Sequence, residues 1–243
     1  SENRDPLLIR VNEAMVFSYN TEVHPDGAPI SNVWELTQEK YRGRVGIKNP
    51  MSSGSSLMGL ATLVQEPEEM AAAYKRLTGE DIVLSDGVPD AGYEFVKRML
   101  ENDIVIYKSG SKLADAAGKA GQDDALIAMG NMTYISRNDS KGNVNAIVSD
   151  LDPVARLVYP NFMSIGAHAP NPNAALVFAN WLLSAETQTG FNRDFGAAPL
   201  HPEADDSSAL ISNAQRAYRQ NWASNPFSKD LADHFIEEVM MNR

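Results

Sequence analysis

The chain has 243 residues, of which 43% are hydrophobic, so it can bury a sizeable core in one or two lobes. Its formal net charge of -11 argues against a nucleic-acid partner, because phosphate backbones are bound through clustered lysine and arginine side chains. The absence of cysteine excludes disulfides, thiolate zinc sites and cysteine nucleophiles.

The first predicted element is a strand over residues 7–19, which are rich in strand-forming side chains. Asn12 and Glu13 interrupt its apolar pattern, and polar groups inside such a strand need hydrogen-bonding partners, which a ligand can supply. Residues 1–5 lack the pattern of a signal peptide, and no run of about 18 apolar residues that could span a membrane is present.

A hydroxyl-rich loop follows the second predicted strand, which contains Val45 and Ile47. The loop, residues 49–56, leads into an apolar helical run from Leu57 to Val64. Small residues at a helix start leave backbone N–H groups free for a ligand, and the positive end of the helix dipole favours an anion. The alternative is that one serine simply caps the helix. The lysine of a Walker loop is missing, so a nucleotide triphosphatase is not supported.

The order of strand, serine-glycine loop and helix recurs further along the chain. Hydrophobic spacing and turn residues predict helices at 67–77, 89–101 and from 111 onward, and strands at 104–107, 124–129, 144–148, 157–159 and 162–167. This alternation predicts an α/β fold with a mostly parallel sheet and helices on both faces. Ligands of such sheets lie at the carboxyl ends of the strands, where residues 109–111 and the Gly130–Asn131 turn belong.

The remaining residues are predicted to be mainly helical. Residues 174–183 are apolar nearly all round, which predicts a buried helix, and a more polar helix follows at 185–195. Two amphipathic helices are expected at about 207–222 and 228–241.

Several local motifs, in this order, resemble those of one known family. They are MVFSYNT (15–21), WELT (34–37), YRGRV (41–45), NPMSSGS (49–55), DALI (124–127), APNPNAA (169–175) and WLLS (181–184). The family is that of the substrate-binding proteins of bacterial ABC importers, in the branch that includes ferric-ion, phosphosugar and aminoethylphosphonate binders. The resemblance covers most of the chain.

This resemblance implies a type 2 periplasmic-binding fold, a two-lobed clamp that closes on its solute about hinge strands. The implied parts are a hinge strand and lobe-one remnant (1–19), an α/β second lobe (20–162), a return to lobe one (163–205) and C-terminal helices (206–243). The family's usual N-terminal segment has no counterpart, so an incomplete first lobe is expected. The resemblance also implies a periplasmic or extracytoplasmic protein that works with an ABC permease, with no cofactor. Exposed apolar surface beside an incomplete lobe makes a homodimer plausible.

The resemblance also bears on the ligand. Ferric-ion binders carry adjacent tyrosines where this chain has Gly130 and Asn131, and phenolate is a hard donor suited to a hard cation, so iron is disfavoured. The serine loop resembles the loop that holds phosphate or phosphonate oxygens in relatives, so a small anionic or phosphorylated organic solute is expected. The expected ligand-binding residues are Ser52, Ser53, Gly54, Ser55, Ser56, Gly130, Asn131, Asn12 and Glu13.

Two alternatives stay open. One is a ferric or other metal-ion binder that uses oxygen ligands such as Glu13 and Tyr134, although the four scattered histidines indicate no metal site. The other is an enzyme or a regulator effector domain on the same fold, since a fold does not fix a function. No nucleophile elbow or histidine base is recognisable, so no catalytic residue is expected. A regulator would need a DNA-binding helix pair, which the sequence lacks.

Overall fold

A computed structural model describes residues 8–195, 197–205, 217–219, 230, 231 and 236. Its strands form one seven-stranded sheet in the order β3-β2-β4-β1-β6-β7, with β5 also paired to β1. The strands are β1 (Leu8–Asn20), β2 (Val45–Lys48), β3 (Val105–Tyr107), β4 (Ile127–Asn131), β5 (Asn145–Ile147), β6 (Arg156–Met163) and β7 (Ala217–Arg219).

The described residues form the following helices, some of which have capped ends. They are α1 (Gly54–Val64), α2 (Pro67–Thr78), α3 (Ala91–Glu101), α4 (Gly110–Gly118), α5 (Arg137–Lys141), α6 (Pro172–Leu182) and α7 (Ala185–Phe195). Asp90 caps α3 by accepting hydrogen bonds from the Gly92 and Tyr93 amides. Gly79 ends α2 at a φ of 81°, a left-handed conformation that glycine adopts without strain. Among the residues that the structure describes, no helix is long and apolar enough to cross a membrane.

Helices cover both faces of the sheet, as the sequence predicts. On one face Ile47 and Met129 pack with Leu60 and Phe95, which belong to α1 and α3, in the larger hydrophobic core. On the other face Ala128 packs against α4. Successive residues of a strand point to opposite faces, so Ala128 and Met129 mark the two sides of β4. The α/β class is therefore confirmed.

Strand β1 is the centre of the sheet and pairs antiparallel with β4, β5 and β6. Its register places Met15 opposite Asn131 on β4 and Glu13 opposite Tyr159 on β6. Directly opposed residues have Cβ atoms about 4.5–5.5 Å apart. Polar side chains from distant parts of the sequence are therefore brought together in the middle of the sheet.

The prediction of a mostly parallel sheet needs a correction, because the sheet is mixed. Strand β2 runs parallel to both β3 and β4, and β6 runs parallel to β7, while every pair made by β1 is antiparallel. The sheet is mixed because β1, which is antiparallel to its neighbours, lies inside the sheet between β4 and β6 instead of at an edge. The parallel part still has the predicted consequence that the loops after β2 and β3 meet at one edge.

Most predicted elements are present with shifted ends. Helix α1 starts at Gly54, three residues before the predicted Leu57, and β4 covers Ile127–Asn131 instead of 124–129. The two strands predicted at 157–159 and 162–167 are one strand that ends at Met163. Pro160 lies within this strand, opposite Asn12 in the β1–β6 ladder.

Helix α6 is correctly located, but the prediction that it is buried is wrong. Leu176, Val177, Phe178 and Trp181 have 53%, 70%, 58% and 52% of their surface exposed, and Ala179 is the buried residue of the helix. The rings of Phe178 and Trp181 stack with centroids 5.6 Å apart. The helix therefore presents an apolar face to solvent in the described part of the structure.

The two predicted C-terminal helices lie largely outside the described residues. Residues 217–219, inside the first of them, form β7, which adds to the sheet edge beside β6, so the helix prediction is wrong there. Leu231 and Ile236, in the second, are fully buried in the larger core.

Candidate functional site

A cavity of ≈ 420 Å³ opens at the carboxyl ends of β2 and β4, and most of its walls are polar. It is lined by Glu13, Met15, Lys48, Ser55, Ser56, Gly110, Leu113, Gly130, Asn131, Thr133, Tyr134, Tyr159 and Asn161. This is the position expected for the ligand of a sheet with parallel strands. Its volume is within the range of small-molecule sites, about 300–1,000 Å³.

One end of the cavity is electropositive. Lys48 ends β2, Ser55 and Ser56 lie in the first turn of α1, and Gly110 is the first residue of α4. The two helix starts meet here because β2 and β3, which precede them, are adjacent and parallel. Two helix dipoles and one ammonium group therefore act on the same space.

The serine hydroxyls at this end form a chain that leaves the helix amides uncapped. The Ser53 and Ser55 hydroxyls are 3.3 Å apart, and the Ser56 hydroxyl donates to that of Ser53 over 3.2 Å. Ser53 occupies the N-cap position of α1, but its side chain makes no capping hydrogen bond. The Ser53 side chain therefore does not cap α1, which excludes the alternative of a simple serine cap at this helix. At α4 a serine does cap the helix, because the Ser109 side chain accepts a hydrogen bond from the Lys112 amide.

Glu13 is the centre of a second group of polar residues that line the cavity. Its Oε2 accepts hydrogen bonds from Asn131 Nδ2 at 2.8 Å and from the Tyr159 hydroxyl at 3.3 Å. Its Oε1 accepts one from Asn161 Nδ2 at 3.0 Å and lies 3.7 Å from Arg10 Nη2. Side chains from β4, β1 and β6 thus form one hydrogen-bonded network across three strands.

Asn131 and Tyr159 are linked directly within this network. Asn131 Nδ2 donates to the Tyr159 hydroxyl, and Asn131 Oδ1 accepts from both the amide and the hydroxyl of Thr133. Burial, and after it the nearby Glu13 carboxylate, raises the pKa of Tyr159 well above its ordinary value. Tyr159 is therefore a neutral phenol that can donate a hydrogen bond throughout the physiological pH range.

Gly110 and Tyr134 form a close contact on the cavity wall. A Cβ atom at Gly110 would lie 2.6 Å from both Cε2 and the hydroxyl of Tyr134, which is shorter than any normal contact. Glycine at position 110 therefore allows the Tyr134 ring to approach the start of α4. Any larger residue at position 110 would displace this ring.

The structure separates the predicted site residues into two groups. Ser55, Ser56, Gly130, Asn131 and Glu13 line the cavity. The others do not: Ser53 is buried behind the first turn of α1, Ser52 and Gly54 are exposed, and Asn12 lies on the opposite face of β1 from Glu13. Asn12 instead exchanges two backbone hydrogen bonds with Ala198. The cavity is therefore lined by Glu13 and not by Asn12, because neighbouring residues of a strand point to opposite faces of the sheet.

Lys48, Tyr159 and Asn161 line the cavity but were not expected from the sequence, and Gly110 was expected only as part of the loop at 109–111. A signal existed for Lys48, which precedes the first serine-glycine loop, and for Gly110, which is the glycine of the second. Tyr159 and Asn161 alternate along β6 and so share a face, but their approach to Glu13 depends on the strand register. Among the described residues, no group of three or more histidines, aspartates and glutamates could hold a metal ion.

The sequence matches the family model described as bacterial extracellular solute-binding protein over residues 7–217. The chain belongs to this family. Its members bind small solutes for ABC transporters and work with a membrane permease, and the description of the family places this solute-binding protein outside the cytoplasm. Comparison with curated protein sequences gave no match.

Several solved structures share the fold of this solute-binding protein. Iron-bound HitA from Pseudomonas aeruginosa is 16% identical with a TM-score of 0.61, and the match covers 97% of this chain and 68% of HitA. AfuA from Actinobacillus pleuropneumoniae, with fructose-6-phosphate bound, is 17% identical with a TM-score of 0.68 over 98% and 69% of the two chains. Ferric iron-binding protein A from Mannheimia haemolytica, in an open conformation, is 13% identical with a TM-score of 0.65 over 100% and 72%. These matches confirm the type 2 periplasmic-binding fold.

Proposed function

We propose that the protein binds a small organic solute carrying a phosphate, phosphonate or similar anionic group, and delivers it to an ABC permease. The observation that carries the proposal is the convergence of two helix starts and Lys48 at one end of the cavity. Backbone N–H groups at a helix start donate hydrogen bonds to an anion, and the dipole favours its charge. Lys48 adds a full positive charge, and the Ser55 hydroxyl adds a hydrogen-bond donor.

The Glu13 carboxylate in the same cavity is compatible with an anionic solute. Arg10 lies 3.7 Å from Glu13 and compensates its charge, while three hydrogen-bond donors occupy its oxygens. Glu13 lies on β1, whereas the two helix starts follow β2 and β3, and β4 lies between β1 and β2 in the sheet. AfuA, which shares the fold, holds fructose-6-phosphate, and this sugar phosphate is consistent with a phosphorylated solute.

A ferric site is the less supported alternative, although HitA and the Mannheimia protein are described as iron-binding. A ferric ion needs several free anionic oxygen ligands. In this cavity the Glu13 oxygens are already hydrogen-bonded, and the raised pKa of Tyr159 opposes formation of a phenolate.

Isothermal titration of the chain with inorganic phosphate and with simple alkyl phosphates tests the proposal. Replacing Lys48 by Gln should weaken binding about 10- to 100-fold, because a charge-assisted hydrogen bond contributes about 1.5–3 kcal/mol. Ser55→Ala should weaken it less. Ser52→Ala, an exposed serine of the same loop, is the matched control and should leave the affinity unchanged. Binding that is undetectable for every probe, or is the same in Lys48→Gln as in the original chain, contradicts the proposal.

We further propose that residues 20–162 act as one lobe of a clamp and that residues 1–19 and 163–205 belong to the other. Closure of two lobes around a solute is a hinge motion with loop or strand-end residues as pivots. Small-angle X-ray scattering on the same phosphate-titrated samples should show a smaller radius of gyration when a probe is bound. An unchanged radius at saturation would contradict this division into lobes.

A further inference from the structure

Arg10 and Glu13 can meet because strand β1 is irregular near Arg10. Residues three apart on a regular strand point to opposite faces of the sheet. The β1–β6 register shifts between Ile9 and Val11, which lie opposite consecutive residues of β6, so Arg10 is the extra residue of a β-bulge. A bulge changes the direction of a side chain, and here Arg10 Nη2 lies 3.7 Å from Glu13 Oε1.

Helix α7 holds Arg10 at two points. Gln188 Nε2 donates a hydrogen bond to the Arg10 carbonyl oxygen over 3.1 Å, and the Arg10 guanidinium lies over the ring of Phe191, 4.8 Å from its centroid. Gln188 and Phe191 are three residues apart and so share one face of the helix. Gln188 is itself fixed, because it is buried and its Oε1 accepts from the amides of Leu200 and His201. Both the backbone and the guanidinium of Arg10 are therefore positioned by α7.

The Arg10 guanidinium has a charged partner but an unused donor. Its Nε is buried and has no hydrogen-bond partner among the residues that the structure describes. A buried donor without a hydrogen bond destabilises a fold. Arg10 therefore contributes here through its charge, and its ion-pair partner is Glu13.

Glu13 and Lys48 are the two charged side chains among the described residues that line the cavity. Three neutral donors bind the Glu13 carboxylate, but they leave its negative charge in place. An uncompensated carboxylate would attract the ammonium group of Lys48 within this partly enclosed space. In the described structure Lys48 forms no ion pair, and Glu13 pairs with Arg10 instead.

We infer that Arg10 is a positioning residue for anion binding, because its pairing with Glu13 leaves Lys48 free for the solute. Arg10 does not line the cavity itself, so it acts through Glu13. The inference rests on the proposed function, in which Lys48 binds the anionic group. It extends the binding machinery to α7, whose residues Gln188 and Phe191 hold Arg10 from outside the cavity.

A double-mutant cycle with inorganic phosphate as the probe tests this inference by calorimetry. Arg10→Gln should weaken phosphate binding about threefold to tenfold, because Glu13 then competes with the anion for Lys48. The same change in a Glu13→Gln background should cost less than about twofold, because no carboxylate remains to attract Lys48. Arg10→Lys keeps the positive charge and should retain most of the affinity.

The matched control is Arg193→Gln, which removes the same charge from α7. The Arg193 side chain is 73% exposed and pairs with Asp194, so phosphate affinity should stay within about twofold. An equal loss from Arg10→Gln in both backgrounds, or no loss in either, would overturn the inference and leave the proposed function intact. Absence of phosphate binding by the original chain would overturn both.

A crystal structure of the Arg10→Gln variant gives a second readout, which a purely structural role of Arg10 would not change. Lys48 Nζ should lie within about 4 Å of a Glu13 carboxylate oxygen, the distance of an ion pair. A Lys48 side chain that stays apart from Glu13 in this variant would contradict the inference.

Discussion

Glu94 is a fully buried carboxylate whose partners are all supplied by the protein. It accepts hydrogen bonds from the amide and hydroxyl of Ser85 at 2.9 and 3.0 Å and from Arg98 Nε at 2.6 Å. Burial by itself raises the pKa of Glu94, but the hydrogen bonds from Ser85 and Arg98 outweigh it and hold the pKa below its ordinary value. The charged form is thus the one that the fold stabilises.

This lowered pKa predicts a pH-dependent contribution to stability. Because the pKa is lower in the folded than in the unfolded chain, the contribution is complete above the unfolded value of about 4.3 and is lost as the pH falls through the folded value. Glu94→Gln should lower the free energy of unfolding by about 1–3 kcal/mol at neutral pH, and the difference should shrink below about pH 4. Urea unfolding at both pH values measures it.

The control is Glu101→Gln on the same helix. Glu101 pairs with Lys97 four residues away and its side chain is 48% exposed. An exposed pair of this kind contributes about 0.3–0.5 kcal/mol, so the control should change stability little at either pH. A loss in Glu94→Gln that is the same at neutral and acid pH would show that the charge of Glu94 does not contribute.

For individual residues, the sequence predicts part of the lining of the cavity. Ser55, Ser56, Gly130 and Asn131 were found because local patterns place them after parallel strands, where ligands bind. The β6 partners of Glu13, Tyr159 and Asn161, could not be found in this way. Tyr159 lies 146 residues from Glu13 in sequence, and only the strand register brings the two together.

Helices α1 and α3 are in close backbone contact at Gly92. A Cβ atom at Gly92 would lie 2.6 Å from the Val64 Cα and 3.0 Å from the Leu63 carbonyl oxygen. These are backbone atoms, which cannot rotate away as the end of a side chain can. The two helices would therefore have to separate to accept any other residue.

Gly92→Ala should accordingly destabilise the fold by about 1–3 kcal/mol, the usual loss for overpacking, even though alanine has the higher helix propensity. Gly190→Ala on α7 is the matched control, because the nearest atom to its Cβ, on Arg193, is 4.0 Å away. The free energy of unfolding of the control variant should rise by up to about 1 kcal/mol. Chemical denaturation of both variants gives the comparison, and equal effects would show that the α1–α3 contact is not tight.

The positions of helices and strands were largely predictable, because hydrophobic spacing and caps act over a few residues. Gly79 marks the end of α2 as the rules for helix stops anticipate, whereas α3 starts at Ala91, after its Asp90 cap, two residues later than predicted. The burial of α6 was not predictable. Spacing shows that residues 174–183 are apolar, but the sequence does not show whether another element covers them, and the described residues leave this face open.

For the molecule as a whole, the apolar face of α6 bears on the predicted homodimer. Leu176, Val177, Phe178 and Trp181 form a contiguous exposed surface of the kind that marks association sites. We expect the 243-residue chain to self-associate through this face, with two copies covering each other's helix. Sedimentation velocity at several protein concentrations measures the expected shift from monomer to dimer.

Val177→Glu should move this equilibrium toward monomer, because it places a charge in the middle of the face. The control is Val83→Glu, since Val83 is 78% exposed and lies in the loop between α2 and α3, away from α6. If the original chain sediments as a monomer at every concentration, or if both variants behave alike, the homodimer prediction is wrong.

The central position of β1 has a consequence for how the molecule assembles. This strand is the first of the described elements, yet one of its neighbours, β6, is the last but one of the sheet. The hydrogen bond between Glu13 and Asn161 joins residues 148 positions apart. Contacts of such long range form slowly, because a long loop must close before they can contribute. During synthesis the two edges of β1 therefore stay unpaired until their partner strands, β4 and then β6, have been made. The cavity can be completed only at that late stage of folding.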